Sequence, residues 1–355
     1  MSFLSMSSVD AGVGSVPSLR QPPRCLRAPA VAFVSSRIGT THASRPGCMA
    51  GMSTLCLRRA GGEETILMTI LGNSACPSAV SISTVFAILL LSPADCCGTA
   101  AAAEPQMEFA AHRAIYELKL AHSHSTSMSA RGRILYDFSG NSCEGYALLF
   151  RQVSELDNGE GRTTLSDLRS TSWEEGAAKR YVFKSQNYLN ETLLDTVDGE
   201  AEREADKVSV KLTKPSEKKF DLEHEIAFPT DHMRRIITAA RAEKSILEVP
   251  LYDGSDKGDK VFNTLTVIGR VIAPNERPPV DAAAGKAELS GLKRWPVTVS
   301  YFDRSGKPGD QPPVYAIKFE LYENGISRAL VLDYNDFAIA GDLTSLDLKE
   351  SKPCR

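Results

Sequence analysis

Lysine is missing from the first 103 residues of this 355-residue chain, and tryptophan occurs only twice in the whole of it. The formal charge is -3, so the concentrated Lys/Arg surface that neutralises nucleic-acid phosphates is lacking and a general nucleic-acid binder is excluded. Long apolar runs are scarce as well. The clearest, VSISTVFAILLL over residues 80 to 91, falls well short of the roughly 20 apolar residues that a membrane-crossing helix needs. There is no G-x-S-x-G elbow, P-loop or Rossmann glycine fingerprint, and His224-Glu225 lacks the second His of a zinc-protease motif. The usual warrants for a nucleophilic hydrolase, a nucleotide or dinucleotide cofactor and a zinc protease are therefore absent. No catalytic residue, cofactor or metal is expected, and the chain reads as a non-enzyme.

What is present divides the chain in two. Residues 1 to 103 hold seven Arg, four acids and six of the eight cysteines (Cys25, Cys48, Cys56, Cys76, Cys96, Cys97). Taken from the totals of 41 basic and 44 acidic residues, this leaves 34 and 40 for residues 104 to 355, a net charge of -6, with only Cys143 and Cys354. The apolar run at 80 to 91 is followed by Ser92-Pro93 and the small residues GTAAAA, which is the order of an export signal. Residues 80 to 103 are thus expected to be a signal peptide. Residues 1 to 79 show no sustained period and are expected to be unstructured, either a start-site artefact or an organelle transit peptide. Asp95 before Cys96 is a poor neighbour for lipidation of Cys96 or Cys97.

From Glu104 onward the apolar period is two, the repeat of a strand with one face in a core. Thirteen segments read this way: 116–120, 133–138, 146–153, 163–171, 179–185, 191–197, 207–212, 218–225, 262–271, 295–302, 313–322, 327–334 and 336–339. Their number and spacing predict a mainly β chain with a large antiparallel sheet system in one domain, 104–355. Asn324-Gly325 predicts a two-residue hairpin turn, and Asp198-Gly199, Asp253-Gly254 and Ser305-Gly306 mark other reversals. One helix is expected near 230–244, capped by Thr230, with Met233, Ile236, Ile237 and Ala240 on its buried face. The Pro-rich stretches 274–287 and 304–313 read as long loops.

An exported domain with two thiols, in an oxidising compartment, is expected to pair them, Cys143 with Cys354. Two free thiols, or a redox-active pair, are the other readings. Other chemistry is thin. His122-Ser123-His124 could give two metal ligands, one short of a site. The acids of Asp253-Gly254-Ser255-Asp256-Lys257-Gly258-Asp259 do not follow the EF-hand order and read as a turn. Glu174 and Glu175 beside Trp173 could serve a glycosidase but read as an exposed acidic turn. Asn190-Glu191-Thr192 is a glycosylation sequon, relevant only in a eukaryotic secretory pathway.

Five motifs in order resemble the EipB family of periplasmic cell-envelope integrity proteins: HRAIYELKL (112–120), GRILYDFSGNSCEGY (132–146), FPTDHM (228–233), LYDGSDKGDKVFNT (251–264) and FELYENGISRALVLDYNDF (319–337), with Cys354 at the end. The resemblance implies an open, spiral-like β-barrel with one helix after Pro229, and a disulfide at Cys143 and Cys354. It implies a soluble periplasmic factor that supports the envelope under stress, with no catalytic residue to carry over. The expected partner is an envelope protein or a lipid or glycan ligand, with no nucleic acid and no transmembrane span after signal cleavage. The rival readings are a lipid or lipoprotein carrier and an envelope glycan hydrolase using Glu174 or Glu175.

Overall fold

The computed structural model describes residues 107–355 except 126, 275, 305–310, 351–353 and 355. The expected signal peptide at 80–103, the stretch 1–79, Cys96, Cys97 and Ser305-Gly306 lie outside the described residues. Among the described residues, fourteen strands form in chain order. The first eight are β1 (His112–Ser123), β2 (Ser129–Asn141), β3 (Gly145–Asp157), β4 (Thr163–Glu174), β5 (Arg180–Leu189), β6 (Thr192–Arg203), β7 (Lys207–Lys214) and β8 (Lys218–Glu223). After helix α1 (Pro229–Arg241) come β9 (Ile246–Leu251), β10 (Phe262–Ile268), β11 (Arg294–Asp303), β12 (Tyr315–Tyr322), β13 (Ser327–Asp333) and β14 (Phe337–Leu348).

All fourteen belong to one antiparallel sheet in the order β8-β7-β6-β5-β4-β3-β2-β1-β14-β13-β12-β11-β10-β9. Two runs of sequential hairpins are therefore joined where β1 pairs with β14, and α1 connects the two edge strands, β8 and β9. The sheet does not close. Among the described residues, the segment after β8 meets β9 at an isolated parallel bridge of Ala227 with Leu251, where Ala227 N–H donates to Pro250 O (2.8 Å) and Tyr252 N–H to Ala227 O (3.0 Å).

Alternation explains why these segments are strands. In β1, Ala114, Tyr116 and Leu118 are buried while Arg113 and Lys119 face water, and in β11 Trp295, Val297, Val299 and Tyr301 are buried in turn. Burying each such large side chain is worth about 1.5–3 kcal/mol. The inward residues form two clusters. The larger spans β1–β3, Leu168 of β4, α1 and β9–β14, and the smaller holds Tyr181, Phe183, Val197, Val208, Val210 and Leu212 against Phe228 and Tyr252. Helix α1 lays Met233, Ile236, Ile237 and Ala240 on the core, as its spacing predicts.

Several local expectations need correction. Strand β9 was not among the thirteen segments, because Pro250 interrupts it. Pro250 sits on the edge strand, opposite Asn263, where its missing N–H removes no ladder bond: Leu247, Val249 and Leu251 are the residues that bond to β10. Asp198-Gly199 is not a reversal but lies inside β6 at a register shift against β7, where a Cβ on Gly199 would meet Leu212 and Phe183. The β12–β13 turn is a three-residue loop, with Gly325 N–H donating to Tyr322 O (2.9 Å) and Tyr322 N–H to Ile326 O (2.8 Å). Only Gly325 (φ +89°) takes the left-handed conformation. The stretch 274–287 is partly ordered into a 3₁₀ turn, Ala282–Gly285, followed by the short helix α2 (Ala287–Ser290). It is held down by Asp281, which accepts two bonds from the buried Arg328 guanidinium (3.0 and 3.2 Å).

Candidate functional site

The β2–β3 turn is built by Asn141, whose Oδ1 accepts the N–H groups of Cys143 (2.9 Å) and Glu144 (2.7 Å). Next to it the Glu108 carboxylate accepts from Ser142 N–H (3.1 Å), from the Ser142 hydroxyl and from the Tyr146 hydroxyl (3.1 Å). Cys143 is thereby presented at the surface, where its Sγ is bonded to Cys354 Sγ, with the two Cα atoms 5.7 Å apart and a sequence separation of 211. The bridge fastens the end of the chain to this turn.

Beside the turn lies Glu174, at the end of β4. It is not part of an exposed acidic turn as expected: it is 2 % exposed, because the alternation of β4 turns it inward beneath the start of α1. The first amides of α1 have no partner inside the helix, and Thr230 supplies no side-chain cap. Glu174 takes that role from another element, accepting from Thr230 N–H (2.6 Å) and Asp231 N–H (2.8 Å). Burial pushes its carboxyl up to about 7; the two amide bonds and Arg234 pull it down, and Asp231 adds to the rise. Glu175 is half-buried in the following turn, where Ala178 N–H donates to its carbonyl (2.8 Å). Gly176 lies so close to Ser142 O that a Cβ there would overlap it, and the Gly176 carbonyl accepts from Arg234 (3.0 Å). The disulfide turn, the β4–β5 turn and the head of α1 thus form one interlocked corner, and Glu174 has both oxygens committed to backbone.

The remaining candidates stay apart. His122 and His124 meet edge to face with ring centroids 5.4 Å apart at the end of β1, and among the described residues no group of three or more His, Cys, Asp or Glu is placed to hold a metal. The acids of the 253–259 loop separate. Asp253 is buried and accepts from Ser255 N–H (3.0 Å), Asp256 faces Lys260 (3.6 Å), and Asp259 pairs with Lys218 (2.6 Å). Two buried histidines had no signal in the sequence reading. His232 of α1 is driven down to about 3 by burial and meets Thr264 Oγ1 at 3.2 Å, and His112 stacks on Tyr136. Asn190 and Glu191 of the sequon are the two central residues of the β5–β6 turn, both with positive φ.

A cavity of about 470 Å³ opens where α1 ends, between Ser245 before β9, the end of β10 and the start of β11. Its floor includes the buried Ala240, Ile268 and Trp295. The helix ends there in a Schellman arrangement, with Lys244 N–H donating to Ala239 O (2.9 Å), Glu243 N–H to Ala240 O (3.1 Å), and Glu243 in the left-handed conformation (φ +57°) usually given to Gly. Sequence reasoning missed this cavity, because its residues come from four separate segments and match no motif.

Fold and site together describe an open antiparallel β protein whose C-terminal tail is sulfur-linked to its β2–β3 turn. The EipB-like family model matches residues 103–350, and the chain belongs to that family. It is 36% identical to the cell envelope integrity protein EipB of Brucella abortus (strain 2308) over 254 residues, 71% of this chain and 89% of that protein. It is also similar to the crystal structure of a beta-barrel-like protein of a domain of unknown function from Brucella abortus. That match has a TM-score of 0.63 and 34% identity, and covers 69% of this chain and 100% of the other.

Proposed function

We propose that this chain is a soluble periplasmic factor that supports cell-envelope integrity under stress by binding another envelope component, without catalysing a reaction. The observation that carries the reading is the similarity to a relative named for cell envelope integrity, which extends over 89% of that relative. Two physical features support it. A Cys143–Cys354 bridge is at home in an oxidising compartment outside the cytosol. Glu174, the carboxylate with the raised pKa that a glycan hydrolase would need, spends both oxygens on the amides of Thr230 and Asp231. No helix among the described residues is long and apolar enough to cross a membrane.

The test is deletion of the gene, growth under detergent or osmotic stress, and recovery of the protein from fractionated cells. The expected result is a stress-sensitive strain rescued by the natural chain and by Glu174→Gln. The rescuing protein should appear in the periplasmic fraction with a mass that shows loss of the 80–103 signal and an oxidised Cys143–Cys354 pair. A deletion strain as resistant as its parent, or protein found in the cytosol with both thiols reduced, would overturn the proposal.

A further inference from the structure

We propose that the cavity at the C-terminal end of α1 is a binding site for an organic anion, a phosphate or carboxylate group carried on a compact apolar body. The inference rests on the cavity alone and goes beyond the envelope role, so that either can fail while the other stands. The space, about 470 Å³, equals roughly fifteen water molecules of liquid volume and falls within the range of small-molecule sites.

Its lining has two characters. Ala240, Ile268 and Trp295, all buried, give an apolar floor, with Val271 beside them. Around it stand four cations, Arg241, Lys244, Arg270 and Lys293, against two carboxylates, Glu243 and Glu323. An excess of two positive charges in one concavity runs against a chain whose formal charge is -3.

Two of the cations are already engaged. Arg270 is paired with Glu276, and Arg241 lies 3.8 Å from Glu323. Lys244 and Lys293 have no ion-pair partner among the described residues, and both are exposed at the lip. Glu323 Oε1 accepts from the backbone N–H of Lys293 (3.2 Å), which turns that carboxylate toward the main chain.

The end of a helix normally offers bare carbonyls that repel an anion. Here the carbonyls of Thr238, Ala239 and Ala240 each accept an N–H, from Ala242, Lys244 and Glu243, so these three do not meet an anion bare. A ligand with an anionic group would neutralise the two free ammonium groups while its body covers Ile268 and Trp295. A neutral ligand would leave the two ammonium groups without a counter-charge, and a bare inorganic anion would leave the apolar floor wet.

The test is calorimetric titration of the full chain in low salt with 1-naphthyl phosphate and 1-naphthoate, alongside inorganic phosphate and 1-naphthol. The expected result is one-to-one binding of at least one of the two naphthyl anions, weakened by rising ionic strength. The Lys244→Ala/Lys293→Ala double variant should bind at least tenfold more weakly with an unchanged melting curve, Glu323→Gln should bind a few-fold more tightly, and Lys211→Ala should match the natural chain. Equal binding of 1-naphthol would remove the anionic half of the proposal, and equal binding of inorganic phosphate the apolar half. Failure of both naphthyl anions to bind, or undiminished affinity in the folded double variant, would overturn it altogether.

Discussion

Glu174 shows how one carboxyl can tie stability to pH. In the unfolded chain it titrates near 4.5, and in the native state near 7, because the folded site desolvates it. Its folded pKa is raised, so the native state holds an extra proton between those values. The stabilisation is complete below the unfolded value and lost as pH rises through about 7, a difference of about 3 kcal/mol between pH 5 and pH 8. Burial lowers the pKa of His112 and His232, which acts in the opposite sense as pH falls below the ordinary imidazole value near 6.5. The informative quantity is therefore the natural chain minus Glu174→Gln in urea unfolding at several pH values. That difference should shift by about 3 kcal/mol across the window; a flat difference would show that Glu174 titrates normally. Nothing in the order Trp173-Glu174-Glu175 distinguishes the buried acid from its neighbour, since the inward parity of β4 and the unpaired amides of α1 come from two distant segments.

At the scale of single elements, the β5–β6 hairpin has a correctable fault. Both central residues of its turn lie at positive φ, Asn190 at 48° and Glu191 at 66°, which Asn tolerates and Glu does not. Glu191→Gly should raise stability by about 1 kcal/mol, read as a higher melting temperature, and a lower one would contradict this account of the turn. Hairpins of this kind also mark the limits of reading a sequence. Strands with clean alternation, such as Lys207-Val208-Ser209-Val210-Lys211-Leu212, were legible because alternate side chains reach one core. The far half of β14 was not, because Gly341 and Thr344 dilute its pattern, although Leu343 and Leu346 are buried through pairing with β1. The Asn-Gly signal located the β12–β13 turn but overstated its regularity, since only the glycine takes a positive φ.

For the molecule as a whole, two cross-connections matter most: the β1–β14 pairing and the Cys143–Cys354 bond beside it. A cross-link over 211 residues limits the unfolded chain by an amount on the order of 5 kcal/mol in the chain-entropy view. Cys354→Ser is thus expected to melt many degrees lower than the natural chain under non-reducing conditions and at the same temperature under reducing ones; identical non-reducing melts would assign the bond no structural weight. The pairing was legible because few thiols remain after residue 103, whereas the cavity at the end of α1 was not, since Lys244 and Lys293 are brought together only by the folded sheet. The unclosed sheet carries one more consequence, for encounters between copies. An uncapped ribbon ordinarily recruits further strands, yet β8 begins with Lys218 and Lys219, and β9 carries Glu248 and an imino residue, Pro250, whose carbonyl is already taken by Ala227. Each rim is a poor template for growth, so an open sheet with two free ends can stay dispersed without β8 and β9 ever pairing with each other.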